Sequence, residues 1–326
     1  MSAQQPAREA SSAPVGVAIA LLSNFLFTSS DAIVKTLTLR YPVFQVIAMQ
    51  VTFALIPLCI MLLRDGTFSR FRVRHPFLVL TRGLLAGLGT LCGFYAFSVL
   101  PLADVYSIAF CAPIVVTLAS IPILGEKVGK YRIGAVLVGF IGILVMVEPG
   151  VAPFSLGHAA AFGSVFTSTG VVLIMRRIAR EEQRGVMVAA VMIGLLTVSI
   201  PGVVMVGRMP ALEDIGLAAL SGLIMGCAQF LALEAIRRAP VASVAPMQYT
   251  MLVWALIYGV VLFNDPLRLN IVVGAMIVMA SSLYIMHRER VRARAPISTL
   301  PVHPASPQPP LPRPESGRAP IESSTT

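Results

Sequence analysis

The chain has 326 residues, of which 56% are hydrophobic and 12% charged, with a mean hydropathy of +0.83 and a net charge of +10. A soluble globular domain carries about 25% charged residues, so this chain has too little polar surface to cover a water-facing exterior, which excludes a water-soluble enzyme or binding module. In a soluble protein the positive charge would point to nucleic acid. Here the basic residues sit in short gaps between apolar runs, as topology signals do, and no nucleic-acid partner is expected.

Residues 1–13 are polar and read as a cytoplasmic N-terminal tail. The apolar stretch after them is too long for a cleaved signal and reads as a first span that stays in place. Ten apolar segments can be drawn, at about 14–36, 43–63, 77–99, 103–123, 130–147, 156–178, 186–206, 212–236, 241–262 and 270–286, near the length that crosses roughly 30 Å of hydrocarbon. Inside lipid each backbone N–H and C=O needs a partner, and a helix supplies it within one segment; the alternating short strands of a β-barrel are absent. The expected fold class is therefore an all-α membrane protein of ten transmembrane helices.

Span 1 holds Asn24, Thr28, Asp31 and Lys35. The last two lie one helical turn apart, so they can pair locally near the outer interface; the alternative is a coupling site. Span 3 opens with Arg82, read as a cytoplasmic anchor, and continues through Gly83-Leu-Leu-Ala-Gly87 to Tyr95. The GxxxG spacing serves either internal packing or a homodimer face. Span 4 carries Tyr106, Phe110 and Pro113, span 6 Thr167 and Ser168, and span 8 Gln229 and Glu234, the last within reach of Arg237 and Arg238. Span 9 carries Pro246, Gln248, Tyr249 and Trp254.

Polar groups in a membrane tend to face protein or water. Aromatic faces can stack on a planar ring while Asn and Gln orient its polar edge. Asn24, Thr28, Tyr95, Tyr106, Phe110, Thr167, Ser168, Gln229, Gln248, Tyr249 and Trp254 are therefore the candidate substrate lining, with ordinary interhelical packing as the alternative. Pro113 and Pro246 remove helical hydrogen bonds and mark candidate kinks beside the cavity. With Asp31, Lys35 and Glu234 they form the candidate coupling or gating set.

Cys59, Cys92, Cys111 and Cys227 lie inside apolar runs without metal-ligand spacing, and His75, His158, His287 and His303 lie at span ends or in the tail. No nucleophile–base arrangement and no phosphate-binding loop is present, so neither enzyme activity, nor a metal, nor a cofactor is expected. Residues 289–326 are polar and Pro-rich and read as a disordered cytoplasmic tail.

Basic residues alternate between gaps. One side holds Arg64, Arg70, Arg72 and Arg74; Lys127, Lys130 and Arg132; Arg176, Arg177, Arg180 and Arg184; and Arg237 and Arg238, with Arg8 and Arg288 to Arg294 at the ends. The other side holds Lys35, Arg40, Arg208 and Arg268. The positive-inside rule puts the first side, and both termini, in the cytoplasm.

Shifting the chain by about 139 residues sets Gly83 on Gly222, Gly87 on Gly226, Ala96 on Ala235 and Pro101 on Pro240. A shift of about 141 sets Ser23 on Ser164 and Phe25 on Phe166. Each half thus holds five spans, over 14–148 and 149–288, and an odd number inverts the second copy. The loops agree: the gap after span 3 lacks Lys and Arg, while its echo carries Arg237 and Arg238.

Arg82-Gly83, Leu100-Pro-Leu-Ala-Asp104, Ala112-Pro113, Leu124-Gly-Glu126, Gly134, the Gly142–Pro149 close, Pro240-Val-Ala-Ser243 and Asn264-Asp265 resemble the drug/metabolite transporter superfamily, EamA type. Asp31-Ala-Ile-Val-Lys35 and Tyr41-Pro-Val-Phe-Gln45 are similar to a bacterial subgroup that includes riboflavin and S-adenosylmethionine transporters. The resemblance implies a ten-helix secondary carrier of a small organic metabolite in the bacterial inner membrane; the alternative is a non-transporting receptor or scaffold. Asn264-Asp265 departs from the Gly-Glu pair common at that place.

Overall fold

The structure is a computed structural model that describes residues 5–64, 73–124, 130–147, 155–178, 181–239, 244–266 and 268–294. Gly125, Glu126, Lys127, Arg70, Arg72, Arg180, the Pro240–Ser243 motif and the Pro-rich tail from 295 lie outside the described residues.

The described residues form helices and no strand. In chain order these are α1 (Gln5–Thr38), α2 (Val43–Arg64), α3 (Pro76–Val99), α4 (Leu102–Ala109), α5 (Ala112–Leu124), α6 (Lys130–Val147), α7 (Leu156–Ile178), α8 (Arg184–Val206) and α9 (Leu212–Arg238). A 3₁₀ turn (Ala245–Tyr249) leads into α10 (Thr250–Phe263), and α11 (Leu269–Arg294) closes the chain. Eight spans are long and apolar enough to cross a membrane, and α6 and α11 supply two shorter apolar stretches, Ile133–Val145 and Leu269–Ser281.

Two differences from the sequence reading stand out. Helix α1 starts at Gln5, inside the expected polar tail, because Ala7, Arg8, Glu9 and Ala10 are good helix formers ahead of Pro14. Span 4 is two helices rather than one. The Pro113 ring excludes the carbonyl of Ala109 from a continuous helix, and the chain breaks at Phe110 and Cys111. Span 9 is irregular at the matching place, where Pro246 stands in the 3₁₀ turn. Both prolines thus sit at breaks, as the sequence indicated.

The ten spans sort into two four-span units, each drawing on both repeats. The first unit packs α1 and α2 against α9 and α10; the second packs α7 and α8 against α3, α4 and α5. Helix α1 runs antiparallel to α9: Gly16 touches Ala239, Ser23 donates to the Ala228 carbonyl at 2.8 Å, and Ser30 bonds Ser221 at 3.0 Å. Helix α7 runs antiparallel to α3 in the same way, with Gly157 on Leu100, Gly163 on Cys92 and Gly170 on Leu85. The remaining pair, α6 and α11, packs together, and Ser281 donates to the Ala135 carbonyl at 2.6 Å.

Glycines decide how close the parallel helices come. A Cβ on Gly83 or Gly87 would run into the α8 backbone at Ala190 and Gly194. A Cβ on Gly222 or Gly226 would run into α2 at Gln50, Ala54 and Pro57. In lipid such close approach replaces the missing hydrophobic drive. The echoed glycines of the sequence therefore do the same job in the two inverted units.

Candidate functional site

Between the units lies a cavity of about 950 Å³, within the range of about 300–1,000 Å³ common to small-molecule sites. Its wall is mostly apolar. Phe94, Phe97 and Tyr106 form one side, with ring centroids 6.3 and 6.0 Å apart. Met192, Met225 and Met251 lie elsewhere on the wall, and Gln50, Thr90, Ser168 and Gln229 add polar groups. Among the described residues, two charged side chains line it, Asp31 and Arg82.

On α7, α8 and α9 the lining residues lie toward the basic face, ending at Met175, Met187 and Leu233. At the other end the cavity stops beneath Tyr106 and Asp31. The Tyr106 hydroxyl donates to Asp31 Oδ2 at 2.5 Å. Asp31 belongs to the first unit and Tyr106 to the second, so this bond crosses the gap between them. Phe110 on Tyr249, with centroids 4.9 Å apart, crosses it too.

Asp31 does not pair with Lys35. Lys35 Nζ lies 2.9 Å from Asp265 Oδ2 and 4.5 Å from the centre of the Phe263 ring. The local pair expected from helical spacing is thus replaced by a bond between repeats. The backbone explains why. Asn264 ends α10 in the left-handed conformation, φ 51° and ψ 32°, and Asp265 N–H turns back to the Gly259 carbonyl at 2.9 Å. That aims the Asp265 carboxylate at α1. Asn tolerates this conformation better than most residues, which accounts for its standing where Gly is common.

Arg82, expected as an anchor at the start of α3, also lines the cavity. Its Nη1 donates to the Met187 carbonyl at 2.6 Å, and its Nε is buried with no partner among the described residues. In the first unit the matching place is occupied by a closed network: Gln50 Nε2 donates to Ser30 and Ser221, both at 3.0 Å. In the second unit Ala190 stands where Gln50 would, so no amide meets Arg82.

Of the other candidates, Gln229 and Ser168 also line the cavity. The rest lie outside its lining. Asn24 Nδ2 donates to the Met247 carbonyl at 2.7 Å, and Thr28 donates to the Asn24 carbonyl at 3.0 Å. Thr167 donates to the Gly163 carbonyl at 2.9 Å. Phe110 and Tyr249 stack on each other, Trp254 packs edge-on to Phe25 at 4.8 Å, and Tyr95 and Gln248 are exposed on the outside. Glu234 is held by Arg238 at 2.7 Å and Arg237 at 3.8 Å, as its spacing indicated.

Loop contacts brace each unit. In the first, Asp214 accepts from Arg40 at 2.9 Å and from Tyr41 at 2.7 Å. In the second, Glu182 accepts from the Arg74 and His75 amides at 2.7 and 2.5 Å, and His75 bonds Glu181 at 2.6 Å. The His75 bond, together with its charge, holds the Glu181 carboxyl below its ordinary range. The two braces lie on opposite faces, as an inverted repeat requires.

The chain matches the EamA-like transporter family twice, over residues 14–148 and 155–287. It belongs to that family. Similar proteins include an S-adenosylmethionine uptake transporter of Rickettsia bellii, 24% identical over 276 residues, covering 85% of this chain and 94% of that protein. A pseudopaline exporter of Pseudomonas aeruginosa is 26% identical over 268 residues, covering 81% and 94%. A riboflavin transporter of Rhizobium johnstonii is 25% identical over 293 residues, covering 88% and 96%. A crystal structure with a TM-score of 0.59 and 17% identity, covering 87% of this chain and all of that one, has the same fold.

Sequence reasoning missed Phe94, Phe97, Gln50 and the lining role of Arg82. An isolated Gln in an apolar run was a usable signal for Gln50. The Phe residues gave none, since Phe is at home on any face of a membrane helix.

Proposed function

We propose that this EamA-like protein is a secondary carrier that moves a small organic metabolite across the bacterial inner membrane by alternating access. The basic face and both termini lie in the cytoplasm, and the conformation described is inward-facing. The observation that carries this reading is one cavity between two inverted units, displaced toward the basic face and stopped at its far end by the cross-unit Asp31–Tyr106 bond. The braces at Asp214 and Glu182 join helices of the same unit, so each unit can rock as a body while contacts between units exchange.

Gln229, Gln50, Asp31 and Arg82 supply the polar contacts to the substrate, and Tyr106, Phe94 and Phe97 its aromatic wall. The chain forms no covalent intermediate and acts as no enzyme. The related proteins are named for metabolites that combine polar groups with heterocycles or amino-acid moieties, and this cavity suits a ligand of that kind.

Single cysteines at Val105 and Met187, labelled from either face in vesicles of known orientation, test the cycle. Alternating access predicts labelling of Met187→Cys from the cytoplasm and of Val105→Cys from the periplasm, in anticorrelated amounts. A receptor or scaffold keeps both positions accessible from one face only, whatever is added.

A further inference from the structure

Asp31 is a carboxylate on a cavity wall whose obvious counter-ion is engaged elsewhere. Lys35, one turn along α1, is 2.9 Å from Asp265. The hydrogen-bond partner of Asp31 is the neutral Tyr106 hydroxyl at 2.5 Å. The Thr28 hydroxyl also hydrogen-bonds that Tyr106 hydroxyl, and the side chains packed on the Tyr106 ring toward the cavity are aromatic: Phe97 lies at 6.0 Å from it and Phe94 at 6.3 Å from Phe97, all three facing the cavity. Arg82, the other charged lining residue, does not neutralise Asp31. It sits fifteen positions before Phe97 on α3, which is about 22 Å along a helix at 1.5 Å per residue.

A carboxylate beside aromatic faces, in a site shielded from water, is the chemistry that recognises an organic cation. The carboxylate supplies the opposite charge and the ring faces add cation–π attraction, which strengthens as water is excluded. An uncompensated carboxylate inside a membrane is costly, so the site favours a cationic occupant.

We propose that the closed end of the cavity is a cation-recognition site built from Asp31, Tyr106, Phe97 and Phe94, and that the transported metabolite carries an ammonium, sulfonium or similar cationic group that docks there. This rests on the carrier reading and adds the substrate class to it. The cation also acts as the trigger. By sharing the Asp31 carboxylate it weakens the hydrogen bond to Tyr106, a contact that holds the two units together at this end, so occupancy favours opening to the far side.

The test uses purified full-length protein and three soluble pairs that differ chiefly in one positive charge: S-adenosylmethionine with S-adenosylhomocysteine, choline with 3,3-dimethylbutanol, and arginine with citrulline. Binding is read by thermal shift and by equilibrium binding. At least one charged member is expected to bind tenfold or more tightly than its neutral partner. Asp31→Asn is expected to abolish that preference, Asp31→Glu to keep part of it, and Tyr106→Phe, which retains the ring and frees the carboxylate, to keep it in full.

The proposal is overturned if no charged member binds, if the neutral members bind equally, or if the preference survives in Asp31→Asn. Should Asp31→Asn fail to fold, loss of the preference in Tyr106→Phe overturns it instead. In vesicles of known orientation, the binding charged member is expected to raise labelling of Val105→Cys from the far side. If the two cysteines still alternate while no cation preference exists, the carrier reading stands and the cation site falls. If they never alternate, the carrier reading itself falls.

Discussion

The ammonium of Lys35 lies 2.9 Å from the carboxylate of Asp265, joining the first helix of one repeat to the end of the fourth span of the other. Lys35 is almost fully buried and Asp265 about one-fifth exposed, so the pair is partly shielded from water. Breaking it leaves an uncompensated charge where solvent reaches poorly.

Lys35→Ala is expected to destabilise the protein by about 2 kcal/mol, in the range for losing one partner of a shielded charged hydrogen bond. Asp265→Asn should cost less, because its amide can still accept a hydrogen bond from the ammonium. Thermal unfolding in detergent measures both. Equal losses, or none, would mean that the pair is screened by solvent.

Glycine substitutions should divide sharply by position. A Cβ at Gly194 would enter the Gly83 backbone, and backbone cannot turn aside, so Gly194→Ala should lower both yield and melting temperature. Gly134 has open space around its would-be Cβ, so Gly134→Ala should stay within about 1 kcal/mol of the parent. The comparison needs only matched expression and melting curves.

Asn24 bonds the Met247 carbonyl at 2.7 Å beside the irregular start of span 9. The same carbonyl also accepts from the Thr250 hydroxyl at 2.7 Å, so Asn24 shares it with Thr250 and ties α1 to this irregular turn. Asn24→Ala should destabilise by about 1–2 kcal/mol, and Asn24→Asp should not restore the loss, since an ionised carboxylate cannot donate. Accelerated hydrogen exchange confined to residues 247–251 would report the local loosening.

Tyr106→Phe removes one hydroxyl and leaves the ring packing with Phe97 and Phe110 in place. The far end of the cavity then loses its Asp31–Tyr106 hydrogen bond. Without added ligand, labelling of Val105→Cys from the side opposite the basic face should rise about 3- to 10-fold, as expected for a two-state equilibrium shifted by about 1 kcal/mol. Unchanged labelling would remove this bond from the gate.

The echo of Gly83 and Gly87 in Gly222 and Gly226, and the inversion of loop charges around it, are written in the order of residues alone. Span length and hydropathy follow from the need to satisfy the backbone in lipid, which any single segment must meet for itself. For that reason the all-helical fold, the repeat and the places of both proline breaks were legible without coordinates. The Glu234 pair was legible too, because one helix sets its partners three and four residues away.

The cavity was not legible in this way. Asp31 and Lys35 offered each other a partner by spacing, yet each bonds across the molecule, to Tyr106 and to Asp265. Asn24, Tyr249 and Trp254 stood among the candidate lining and lie outside the lining of this cavity, while Phe94, Phe97 and Arg82 face it. Every face of a membrane helix is apolar, so periodicity does not tell lipid from protein from cavity. Only the pairing of helices from opposite repeats, set by where glycines let backbones meet, decides which side chains look inward.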